Sequence, residues 1–148
     1  MKILRMSLIA LGFALAQGTP AAAASLGKQL AELEAHINWS AVDNAWKTLR
    51  PGWVSTTNAC EEPACVAKQL LVLEANVKWK AVDSAWRTRR SGWINDCKAV
   101  TTQGDAARLL LEFEANVRWR AVDGEWKRLR DEWMAQVKQS AETSPNKL

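Results

Sequence analysis

The phrase W-x-A-V-D-x-x-W-[KR]-x-x-R-x-x-W occurs three times, beginning at Trp39, Trp79 and Trp119, with a constant period of 40 residues. The chain is a triplicated unit, so a surface built by one copy is built by all three. All nine tryptophans fall inside these copies, as Trp39, Trp46 and Trp53, then Trp79, Trp86 and Trp93, then Trp119, Trp126 and Trp133. Spaced seven apart, they would stack along one side of a helix with only slow angular drift.

Apolar residues recur at helical spacing for about 25 residues of each copy without an interrupting proline: Leu26, Leu30, Leu33, Ile37, Val42 and Trp46 in the first, with matching positions in the others. The pattern predicts an all-α fold of three long helices, one per 40-residue repeat, in an up-down-up bundle. Ser25 suits an N-cap, Pro63 a first helical turn, and Thr102 to Asp105 a capping box. Arg50-Pro51-Gly52 and Arg90-Ser91-Gly92 predict the ends of helices one and two, with Trp53 and Trp93 folding back on the last turn. The third helix, with Asp131 and Glu132 in place of breakers, is expected to continue toward Gln139. Residues 51–62 and 91–104 are then long connections. On this division residues 25–139 form one helical domain (repeats about 25–61, 62–101 and 102–139), and 140–148 a disordered tail.

A helical wheel shows one irregularity. Leu26, Leu30, Leu33 and Ile37 gather on one side, whereas Trp39, Val42, Trp46 and Leu49 gather on nearly the opposite side. In a bundle of long helices, antiparallel neighbours could cover both stripes.

The opening has the form of a signal peptide: Lys2 and Arg5, then an apolar run from Met6 to Ala16, then Ala21 to Ala24 before Ser25. The run is too short to span a membrane, and cleavage near Ala24/Ser25 would give a periplasmic or secreted protein. Removing residues 1–24 lowers the formal charge of +4 by two. Acids and bases interleave along the rest with no basic block, which argues against a nucleic-acid partner.

The indoles have two readings. As large apolar groups they suit a core. As a surface they suit sugar rings, cations and protein hot spots, and the absence of tyrosine shows that indole specifically is favoured. Beside them recur Asp43, Asp83 and Asp123, each four residues before a base (Lys47, Arg87, Lys127) and so placed for helix ion pairs. Arg50, Arg90 and Arg130 follow the middle indole by four, a spacing for cation–π stacking on Trp46, Trp86 and Trp126. Glu34, Glu74 and Glu114 fall between the apolar clusters and are expected to be partly buried and paired within their own helices. A metal site needs more oxygen ligands than these supply, and no cofactor motif occurs.

Cys60, Cys65 and Cys97 are an odd set for an oxidising compartment. One straight helix over 64–90 would hold Cys97 about 40 Å from the others, which favours a Cys60–Cys65 disulfide with Cys97 free or bridging to another chain. The lone histidine, His36, is placed on the solvated face, and the absence of catalytic motifs argues against an enzyme. Ala85-Trp86 with Arg90 and Cys97 resembles the W-x3-R ending of small periplasmic lysozyme-inhibitor-like domains, but the stretch upstream of it differs; the resemblance implies an inhibitor role as one alternative. The leading expectation is an exported, non-catalytic binding module whose Trp/Asp/Arg surface engages an envelope protein, peptide or glycan. A self-associating helical oligomer with a coiled-coil-like seam is the second reading, and a carrier of small aromatic ligands a further one.

Overall fold

The computed structural model describes residues 25–142; the expected signal peptide over 1–24 and the end of the expected tail, 143–148, lie outside the described residues. Those described are helical throughout, with six α-helices and no strand among them: α1 (Leu26–Ala35), α2 (Trp46–Asn58), α3 (Pro63–Ala75), α4 (Trp86–Lys98), α5 (Gln103–Ala115) and α6 (Gly124–Glu142). Each repeat is therefore a pair of shorter helices, and the three long helices are not formed. The break falls at the same place in every copy. After α1, α3 and α5, one residue turns extended (Asn38, Lys78, Arg118), a single 3-10 turn follows (Trp39–Ala41, Trp79–Ala81, Trp119–Ala121), and Val42, Val82 or Val122 is extended again.

No proline or glycine causes this break. Its driving force is burial, since the apolar face changes sides midway through each copy, and a turn lets both halves face one core. β-branched residues then meet across repeats as isolated antiparallel bridges, Val42 with Val77, Val82 with Val117, and Ile37 with Val122. The third bridge joins the last repeat to the first. Matching backbone bonds run Lys78 N to Ala41 O, Arg118 N to Ala81 O and Asn38 N to Ala121 O, all 2.8 Å. The repeats thus close into a ring about a pseudo-threefold axis, satisfying backbone groups that the break withdraws from the helices.

Helices α1, α3 and α5 touch one another as an inner trio, while α2, α4 and α6 each pack on their own inner helix and on that of the next repeat, α6 returning to α1. Leu30, Leu33, Leu70, Leu73, Leu109, Leu110 and Phe113 fill the centre, fully buried. Ser25 caps α1 by accepting from Lys28 N, Pro63 opens α3, and Thr102 accepts from Asp105 N. The expected stops are crossed. α2 runs through Pro51 at an exposed position, losing one backbone hydrogen bond, and α4 runs through Gly92. Trp53 and Trp93 consequently lie within helices, the connections shrink to residues 59–62 and 99–102, and α6 extends through residues expected in the tail, to Glu142.

One close approach sets the first repeat apart. A Cβ on Gly27 would lie 2.3 Å from Thr57 O and 3.0 Å from Cys60 O, because the end of α2 presses on α1 there. Repeats two and three carry Ala67 and Ala107 at this place, both buried. Gly27→Ala is expected to destabilise the protein by about 1–3 kcal/mol, although alanine is the better helix former. A denaturation midpoint at or above the wild-type value would show that the two helix ends do not meet this closely.

Candidate functional site

The nine indoles divide by position in the repeat. Trp46 and Trp86 open α2 and α4, Trp126 lies in the first turn of α6, and all three are fully buried; Trp53, Trp93 and Trp133 lie two turns further on, also buried. Within each repeat the two rings meet edge to face, with centroids 5.1–5.2 Å apart. Trp53, Trp93 and Trp133 donate Nε1–H to carbonyls of the next repeat around the ring, Gln69, Leu109 and Gln29, at 2.8–3.1 Å. Trp39, Trp79 and Trp119 instead stand in the 3-10 turns, 52%, 48% and 51% exposed. The stripe predicted along one helix is thus split into six core indoles and three surface indoles, because the break rotates the first of each trio away from the other two.

The buried carboxylates connect the two sets. Glu34, Glu74 and Glu114 accept from Nε1 of Trp46, Trp86 and Trp126 at 2.8–3.0 Å. They also accept from Nε of Arg50, Arg90 and Arg130 at 2.6–2.7 Å. These bonds hold the Arg90 and Arg130 guanidinium groups above their ordinary pKa. The arginines were expected on Trp46, Trp86 and Trp126, and the glutamates were expected to pair within their own helices; the hairpin brings them to each other. Each arginine lies instead over the exposed indole of its repeat, at 6.0, 5.7 and 5.6 Å from Trp39, Trp79 and Trp119. Lys47, Arg87 and Lys127 take up the same indoles at 5.6, 5.2 and 5.7 Å. Every surface indole is therefore held by two cations, one of them fixed from beneath by a buried carboxylate.

Asp43, Asp83 and Asp123 close the turn ahead of each second helix and do not form the expected helix pairs, since their bases stack on indole. Asp123 caps α6 by accepting from Trp126 N at 2.9 Å, and His36 Nδ1 lies 3.0 Å from its Oδ1. Partial burial pushes the Asp123 carboxyl up, but the bonds from His36 and from the Trp126 and Glu125 amides outweigh that and hold it below its ordinary value. His36 is thus not on the solvated face; it is partly buried against Trp126 at the seam that closes the ring. Repeats two and three have Asn76 and Asn116 at this place, whose side chains bond back to Val72 O and Glu112 O.

Cys60 and Cys65 are joined by a disulfide, with Cα atoms 5.6 Å apart. The reason differs from the one expected, because α4 folds back along α3 and no straight helix separates Cys97 from them. Cys97 is a core residue, at the place held by Thr57 and Val137 in the other repeats, all three buried. Burial above all pushes its thiol up to about 12, and a bridge to another chain would require the core to open. Among the described residues no group of three metal-ligating side chains comes together, Glu34, Glu74 and Glu114 each being taken up inside its own repeat, and no helix is long and apolar enough to cross a membrane.

Fold and site together define a closed ring of three helical hairpins, each presenting one indole clamped by two cations above a buried carboxylate. The chain belongs to the family described as Domain of unknown function (DUF8799), which it matches over residues 20–87 and 65–118, two overlapping placements offset by roughly one repeat. No curated protein and no solved structure matches it.

Proposed function

We propose that this protein is a non-catalytic binding module of the cell envelope, exported by the signal-like segment over 1–24, and that Trp39, Trp79 and Trp119 are the groups that meet its partner. The observation that carries the reading is the division of the indoles. Six are committed to the core through ring and N–H alike, whereas three equivalent ones stay half exposed with no protein acceptor for their N–H among the described residues. An unsupported surface indole would sample many rotamers; these are stacked in place, which lowers the entropy lost on binding. A flat π-face, an N–H donor and neighbouring charge suit a protein hot spot, a peptide or a sugar ring.

Replacing Trp39, Trp79 and Trp119 together by alanine is expected to leave the fold intact, each change costing no more than about 1 kcal/mol as a surface substitution that loses its cation stacking. Immobilised wild-type protein should retain a component from separated protein, peptide or glycan fractions of the envelope that the triple variant releases. Equal retention by both proteins overturns the reading. Self-association through the same indoles is the second reading, favoured by their three-fold repetition; it requires a mass that rises with concentration in the wild type and not in the triple variant.

A further inference from the structure

We infer that the end of the pseudo-threefold axis beside the indoles is a binding site for a phosphoryl or sulfate group. Ala41, Ala81 and Ala121 meet there as a small buried cluster. Above them lies a depression of about 300 Å³ whose rim carries Ser40, Lys80, Arg118 and Arg120 and no acidic side chain. Ser40, Lys80 and Arg120 are the same position of the three repeats, the residue after each exposed indole.

The Arg118 side chain and the backbone of the rim are held in place. Arg118 Nε donates to Val82 O at 2.9 Å, Asn38 Nδ2 donates to Arg120 O at 3.1 Å, and the backbone beneath is fixed by the bonds that close the ring. Lys80, Arg118 and Arg120 take part in no ion pair among the described residues, although Arg50, Arg90 and Arg130 nearby in sequence each have a carboxylate. Two acids share a depression with Arg118, Asp83 and Glu114, but both line the neighbouring one, and Glu114 is already paired with Arg130. Three cations that converge without a counter-charge repel one another, and an oxyanion seated between them removes that repulsion while gaining charge-assisted hydrogen bonds. The alanine floor leaves room for the group, since a longer side chain on the axis would fill it. A multivalent oxyanion suits this depression better than a carboxylate does, because three cationic side chains line it and a higher charge offsets more of their repulsion.

The site does not depend on the role proposed for the indoles. Its chemistry is shared by a soluble phosphorylated or sulfated ligand and by a phosphomonoester headgroup at a membrane surface, which two probes separate: inorganic pyrophosphate in titration calorimetry, and flotation with phosphatidylcholine vesicles with or without phosphatidic acid. The first repeat supplies the variants, because Ser40 shows which residue the position tolerates. Lys80→Ser and Arg120→Ser should each weaken binding of a divalent probe roughly tenfold, and Ser40→Arg, completing the ring of cations, should tighten it by roughly as much. Lys68→Ser, which removes an exposed charge from α3 away from the axis, should leave it unchanged. This pattern with pyrophosphate alone supports a soluble ligand, and with the phosphatidic acid vesicles a headgroup. Absence of binding by both probes to wild type and to Ser40→Arg overturns the site, as does a loss in Lys68→Ser equal to that in Lys80→Ser.

Discussion

Replacing Trp86 by alanine is expected to lower the unfolding free energy by about 3–5 kcal/mol, a large part of the ~5–15 kcal/mol that holds a domain folded. The side chain is fully buried, donates Nε1–H to Glu74 at 2.9 Å, and meets Trp93 and Phe113 edge to face at 5.1 and 5.9 Å. Alanine would open a cavity beside both rings, and the carboxylate would keep Arg90 as its remaining partner. Chemical denaturation followed by far-UV circular dichroism measures the loss. Trp79→Ala is the matched comparison, since that indole is half exposed and should cost only a fraction as much. Equal midpoints for the two variants would mean that the two indoles do not fall into a buried and an exposed class.

Glu74→Ala should cost a similar amount by a different route. The carboxylate is 5% exposed and accepts from one indole N–H and from two nitrogens of Arg90. Removing it strands a buried N–H and leaves a partly buried guanidinium without a counter-ion, a change of about 3 kcal/mol or more. Glu74→Leu combined with Arg90→Leu should recover much of that loss, because replacing both partners removes the unpaired charge as well as the pair. The effect should also reach the surface. Arg90 lies over Trp79, so freeing the guanidinium loosens the exposed indole, and acrylamide quenching of Glu74→Ala should rise beyond that of the wild type under folding conditions. Unchanged quenching with lowered stability would show that the carboxylate supports the core alone. Glu34 and Glu114 occupy equivalent places and should behave alike.

The repeat itself made much of the site legible. The 40-residue period identified the equivalent indoles, aspartates, arginines and glutamates before any contact was known. What the pattern did not reveal directly was which of them would meet. The wheel held the decisive signal, the apolar face changing sides between Ile37 and Trp39, but a change of side is compatible both with a straight helix having two neighbours and with a helix that breaks. Without proline or glycine at the break, local propensity favoured the straight helix. Arg50-Pro51-Gly52 misled in the opposite sense, since α2 absorbs the proline where the ring packs Trp53 against the next repeat. His36 was hidden by its singularity: a residue present in one copy of three draws no support from periodicity, and its partner Asp123 lies a whole ring away in sequence. Lys80 and Arg120 carry no repeat signal for the converse reason, because Ser40 interrupts their repetition.

The sequence by itself determined the three-fold equivalence, the helical class and the residue types available to each position, because these follow from a period and from side-chain chemistry that no context alters. Tertiary structure alone decided that the helices break, that the third repeat closes on the first, and that one indole in three remains outside. Those outcomes depend on burying two opposed apolar faces at once. That balance is settled only when all three units pack together and the backbone groups released at each break find partners in the neighbouring repeat.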